Sequence, residues 1–244
     1  MTVSAGPLHP ARLAPILGVA RLALAVVGAV ALVSRYFWGL GSVTFEPGNF
    51  FGYLTIQSNI MFVVISLVTA WPMLRGRLPG ARAEALRAAV LTCTITSGIV
   101  FALIVQQSSL RAIRVDVPWS DVVLHFILPV IALADWVLTP RSAPSPRRMI
   151  PIVLGYTCGW GGVTMIRGGI TGWYPYYFLD PNQTNGLAEF LLLSGTALAV
   201  FAVVGLLVLG ASAGSSRWWL RRGQRERGSA APPRAGRRRP APTG

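Results

Sequence analysis

Six long apolar stretches, over positions 15–34, 50–72, 86–107, 120–138, 149–167 and 187–210, constrain this chain more than any other feature. A helix needs roughly 20 apolar residues to cross the hydrocarbon of a bilayer. The backbone of each crossing must satisfy its own hydrogen bonds there, which selects helices or closed barrels. The stretches are far longer than barrel strands, so an all-α polytopic membrane protein of six transmembrane helices is expected. They leave no room for a separate soluble domain within 244 residues. The expected division is an N-terminal segment (1–14), a membrane domain (15–210) and an Arg-rich tail (211–244). Composition agrees: with 53% hydrophobic and only 12% charged residues, the chain does not read as an ordinary soluble domain.

Charge supplies the orientation. The net charge is +14, and every basic residue is an arginine. Arg12 precedes the first stretch, and Arg75, Arg77, Arg82 and Arg87 follow the second. Arg141, Arg147 and Arg148 follow the fourth, and Arg217 to Arg239 follow the sixth. Against these stand Arg35, Arg111, Arg114 and Arg167 on the opposite side. The positive-inside rule therefore expects both termini in the cytoplasm. The expected location is a cell (plasma) membrane, multi-pass, and the exclusive use of arginine hints at a G+C-rich bacterial genome.

The tail "SSRWWLRRGQRERGSAAPPRAGRRRPAPTG" is expected to be disordered beyond about residue 225. It reads as an anchor on anionic lipid headgroups. No nucleic acid partner is implied, since the segment lacks a folded basic face with aromatic platforms. A cleaved signal peptide is the alternative for the first stretch, through "LALAVVGAVA". Losing that stretch would leave five spans and an Arg-rich tail on the wrong side.

Cys93 and Cys158 both fall inside spans and read as small packing residues, with no metal-ligand spacing. In the fifth span, Gly155, Gly159 and Gly162 read as a close-packing face. The loop "GGITGWYPYYFLDPNQTNG" carries Trp173, Tyr174, Tyr176, Tyr177 and Phe178 around two prolines. An interfacial aromatic belt explains much of it; a cap over a lipid-facing cavity is the alternative.

Ionisable groups inside a membrane are functional candidates by default. His125 is the one histidine within a span, and Asp121 lies four residues earlier on the same helical face. Asp135 reads as an interfacial residue, and Arg21 and Arg167 as snorkelling ones. The second span opens with a polar cluster, Thr55, Gln57, Ser58 and Asn59. The second and fourth spans run in the same direction, so Thr55 and His125 are expected at one depth. A histidine beside a hydroxyl acts as base for a nucleophile, and a third group orients the imidazole. Asn59 and Gln57 or Ser58 would then stabilise an oxyanion. The plainer reading is that Thr55 returns its hydroxyl to a carbonyl one turn earlier and the other polar groups bond across helices.

At these residues the chain resembles the androgen-induced-protein family of multipass membrane hydrolases, which cleave fatty acid esters of hydroxy fatty acids with a threonine and a histidine. "YLTIQSN" (Tyr53 to Asn59) resembles that family's "YLT" element, and "HFILPVIAL" (His125 to Leu133) its "H…LP" element. "YLTIQSN", "LPVIALADW" and "GWYPYYFLD" are closer still to a bacterial group of six-span proteins of unassigned activity, over roughly residues 15 to 210. The resemblance implies that Thr55 is the nucleophile and His125 the catalytic histidine. It departs in the spacing between the two and in "ADW" and "GWYPYYFLD".

The expected function is thus a membrane lipid hydrolase acting on a fatty acyl ester in the outer half of the bilayer. Asp121 would orient His125, and Arg111, Arg114 and Arg167 would pair with a substrate carboxylate. No metal or cofactor is implied, because a lone membrane histidine builds neither a bis-histidine haem site nor a His-rich metal site. The rival expectation is a small transporter or lipid-binding membrane protein whose polar intramembrane cavity is lined by Asp121, His125 and Thr55.

Overall fold

A computed structural model describes residues 10–110, 116–139 and 146–229. Among them, six helices are long and apolar enough to cross a membrane. The first runs Pro10–Leu40, the second Leu54–Leu74 and the third Ala81–Leu110. The fourth covers Trp119–Leu138, the fifth Pro146–Thr171 and the sixth Leu187–Ser229. The sixth helix continues beyond the expected boundary at 210, and residues 230–244 lie outside the described residues.

Membrane helices approach closely where small residues face each other, because apolar lipid leaves no hydrophobic gain from association. The first helix follows this rule. Ala14, Gly18, Arg21, Ala25 and Gly28 are buried at alternating three- and four-residue steps, while Ile16, Val19, Val26 and Val30 are exposed on the lipid side. A Cβ on Gly18 would meet the Leu74 amide nitrogen at 2.9 Å and the Ala70 carbonyl oxygen at 3.2 Å. The first and second helices therefore touch backbone to backbone. Leu124, Leu128 and Trp136 of the fourth helix fill the centre of the bundle, with Phe62, Leu91 and Val208 around them. The Trp136 indole donates to the Val208 carbonyl at 3.0 Å, which satisfies its only polar atom.

The arginine among these residues, Arg21, does not snorkel. It is 2% exposed and pairs through Nε with Asp135 Oδ2 at 2.9 Å. Arg87 Nη2 binds the same oxygen at 2.8 Å and Arg87 Nη1 binds Glu84 Oε2 at 3.0 Å. Thr139 donates to Asp135 Oδ1 at 2.6 Å. Asp135 is therefore a member of a charge network near the end of the fourth helix. Two cations and two anions tie the first, third and fourth helices together at one end of the bundle. Burying a charge is costly unless it is paired and hydrogen-bonded, and here the formal charges balance.

The fourth helix departs from α geometry over Val123–Ile127, which form a π-helical turn. Pro129 supplies the reason. It has no N–H to give a carbonyl one turn back, and its ring crowds that carbonyl. The Leu128 amide bonds instead to Val123, five residues earlier. The Leu124 carbonyl, which Leu128 or Pro129 would otherwise serve, accepts a long hydrogen bond from Asn59 Nδ2 of the second helix at 3.4 Å. The His125 carbonyl oxygen leans onto Gly98 of the third helix, where any Cβ would collide with it. Such single turns are frequent at functional sites, and this one carries His125.

Candidate functional site

At the end of the bundle opposite the charge network, a cavity of about 340 Å³ opens between the first four helices and the loop before the sixth. Its wall includes Arg35, Thr55, Asp121, His125 and Tyr176, with Phe101 and other apolar side chains between them. Thr55 and His125 therefore face one space. Both are largely buried, at 8% and 6% exposure.

Thr55 is the second residue of its helix, with Tyr53 as an extended N-cap. The first amides of a helix have no intrahelical partner, and the first return bond here runs from Gln57 to the Tyr53 carbonyl. Thr69, Thr92 and Thr157 donate their hydroxyls to carbonyls four residues earlier. At the second position, Thr55 has no helical carbonyl one turn back to bond. Its side chain and amide, with the Leu54 amide, lie close enough to the Tyr176 phenol to favour its ionised form.

His125 is held from two sides. Its ring lies on that of Phe101, with centroids 3.8 Å apart and planes 13° from parallel. Nδ1 lies 2.8 Å from the Asp121 carbonyl oxygen. A carbonyl only accepts, so Nδ1 carries the proton, and in the neutral ring Nε2 carries the lone pair. Asp121 thus positions His125 through its backbone. The Asp121 carboxylate is turned to the first helix, where Arg35 Nε donates to Oδ1 at 2.8 Å. The Arg35 guanidinium also lies over Trp38, 4.7 Å from the ring centroid.

The other polar residues of the second helix serve different neighbours. Asn59 is fully buried, and its amide nitrogen donates to the carbonyls of Thr55, at 2.9 Å, and Leu124. Gln57 donates to the Phe51 carbonyl at 2.8 Å and accepts from the Tyr156 hydroxyl of the fifth helix at 3.0 Å. Ser58 returns its hydroxyl to the Thr55 carbonyl at 3.0 Å. Arg167 donates to Asn49 and lies over Trp173, 5.0 Å from the ring centroid, away from the cavity wall. Arg111 and Arg114 lie outside the described residues. Among the described residues no three metal-ligating side chains converge.

Three contributors to this space escaped the reading of the sequence as site residues: Arg35, Phe101 and Tyr176. Arg35 had its place in the charge count as a signal. Tyr176 had only its aromatic loop, and nothing local marked Phe101. Pro175 and Tyr176 both reach the cavity, and Tyr176 stacks on Phe178 with planes 4° apart. Burial pushes the Tyr176 phenol up to about 12, so it is a neutral donor throughout the physiological range. Further along the loop, amide donation from Asn182 and then the Gln183 side chain hold the Asp180 carboxyl below its ordinary value.

Compared with family models, with curated proteins and with solved structures, the sequence matches none.

Proposed function

We propose that this chain is an integral membrane lipid hydrolase that cleaves a fatty acyl ester through Thr55 and His125. The observation that carries the reading is the cavity shared by a threonine at a helix N-terminus and a histidine whose Nδ1 proton is committed to a carbonyl. Thr55 Oγ1 adds to the ester carbonyl carbon while His125 Nε2 takes its proton. The oxyanion forms beside the opening amides of the second helix and the Tyr176 phenol, where positive dipoles already point. Collapse expels the alcohol, which receives the proton from His125. Water, activated by the same nitrogen, then adds to the acyl-threonine, releasing the fatty acid and restoring the hydroxyl.

Among the described residues Arg35 is the cation in this cavity wall, and its Nε is already given to Asp121. Its two terminal nitrogens suit an anionic group on the substrate. The resemblance of "YLTIQSN" and "HFILPVIAL" to the threonine/histidine hydrolases supports the same assignment. By the positive-inside rule the cavity faces outward from a cell membrane, with both termini in the cytoplasm.

The test is turnover of fatty acid esters of hydroxy fatty acids by purified protein and by Thr55→Ala and His125→Ala. Loss in both variants supports the reading, and equal turnover in all three proteins ends it. A lipid-binding protein or small transporter is the second reading, favoured by the Arg35–Asp121 ion pair in the cavity wall. Binding or substrate-dependent proton flux in proteoliposomes without hydrolysis would decide for it.

A further inference from the structure

A second cavity, of about 290 Å³, lies between the third, fifth and sixth helices behind the aromatic loop. It meets the first cavity at Ser97, Val100 and Tyr176, which line both. The rest of its wall is largely apolar, from Leu54 and Trp160 to Phe190 and Phe201.

The glycines of the fifth helix explain this space. A packing face would bring neighbouring atoms against them, yet a Cβ on Gly155, Gly159, Gly161 or Gly162 would meet nothing within 4 Å. The expectation of a close-packed glycine face is thus corrected. Gly161 and Gly162 stand in the cavity wall with Thr157 one turn earlier. Their missing side chains leave the volume empty where a core would fill it.

A second observation marks the wall as open. On the third helix Thr92, Thr94 and Ser97 return their hydroxyls to carbonyls one turn back. Thr96, fully buried in the same wall, has no hydrogen-bond partner, nor has the Ser194 hydroxyl opposite it on the sixth helix. Unpaired buried hydroxyls are retained against a cost and are rare in a closed core. Gly162 and Cys158 are exposed members of the wall, so the space reaches the lipid-facing surface.

We infer that this second cavity is the binding site for a single straight acyl chain, the one whose carbonyl carbon meets Thr55 beside Tyr176. The inference rests on the reading of Thr55 as nucleophile for its register, while the chain site itself is tested by binding alone. The chain enters sideways from the bilayer past Gly162. Gly161 limits how bulky it can be, because a side chain there takes the same space.

The probe is cis-parinaric acid, a straight-chain polyene fatty acid, with binding followed as saturable emission sensitised by protein tryptophan. Trp160 in the wall is a suitably placed donor. Gly161→Leu is expected to weaken binding at least tenfold, Gly161→Ala to weaken it less, and Thr55→Ala to leave it unchanged. Leucine is a strong helix former, so the fifth helix should keep its form. Should Gly161→Leu fail to fold, Ala197→Leu enters the space from the sixth helix and carries the same expectation. Wild-type affinity in a folded Gly161→Leu or Ala197→Leu protein overturns the chain site. Blocked binding in Gly161→Leu with full hydrolysis by Thr55→Ala keeps the chain site and overturns the nucleophile.

Discussion

Gly98 and His125 meet backbone to backbone: the carbonyl oxygen of His125 occupies the space that a side chain on Gly98 would need. The carbonyl leans there because Pro129 cannot bond to it, and the same turn fixes the imidazole against Phe101. Gly98→Ala must therefore push the third and fourth helices apart. Overpacking of this kind costs about 1–3 kcal/mol. The expected outcome is a lower melting temperature and a loss of turnover, measured side by side in detergent. A Gly98→Ala protein with wild-type stability and activity would show that the approach does not matter to the site.

Asn59 joins the second helix to the π-helical turn through the Leu124 carbonyl. Asn59→Asp removes both amide donors and sets carboxylate oxygens against two carbonyl oxygens. Leaving a buried acceptor unpaired costs about 1–3 kcal/mol, and more beside a charge. Asn59→Asp should be less stable than Asn59→Leu, as read by thermal unfolding. The reverse order would mean that the link to Leu124 contributes nothing.

At the opposite end, Asp135 balances Arg21 and Arg87. Asp135→Asn leaves one buried cation uncompensated, for which about 3–5 kcal/mol is typical. Adding Arg21→Met should recover most of that loss, because the remaining pair, Arg87 and Glu84, is neutral. Unfolding of the single and double variants measures the coupling, and strictly additive effects would speak against a network.

Tyr176→Phe keeps the ring and removes the hydroxyl that faces Thr55. As the loss of one oxyanion donor, it should lower kcat about 100-fold with little change in KM or melting temperature. The pH dependence follows from the raised phenol. Its neutral form is favoured in the folded state, so its contribution is fully present below about pH 10. Stability is lost as pH rises from there through about 12. Tyr176→Phe should lose that part of the alkaline decline.

Much of the frame was legible in residue order. Six apolar stretches marked the six helices, since length and hydropathy are local properties. The expectation that Thr55 and His125 lie at one depth rested on counting spans, and both residues do line one cavity. Pairings across helices were not legible. Arg21 and Asp135 sit 114 residues apart and looked interfacial one at a time. Asn59 and Gln57 looked like donors for a reaction, but their partners are carbonyls of their own helix and of neighbouring segments and a tyrosine hydroxyl. The glycines of the fifth helix looked like packing because periodicity shows which face is small and not whether anything covers it. Pro129 was quoted within a motif, yet its effect on Leu124 and His125 depends on where the second and third helices stand.

The most direct measurement is covalent labelling of the purified protein by a lipid-tailed fluorophosphonate, with the modified residue located by peptide mass spectrometry. A single adduct on Thr55 is expected, one that disappears in Thr55→Ala and forms at least about tenfold more slowly in His125→Ala. An adduct on any other residue, or ester hydrolysis that continues unchanged in Thr55→Ala, would contradict Thr55 as the nucleophile.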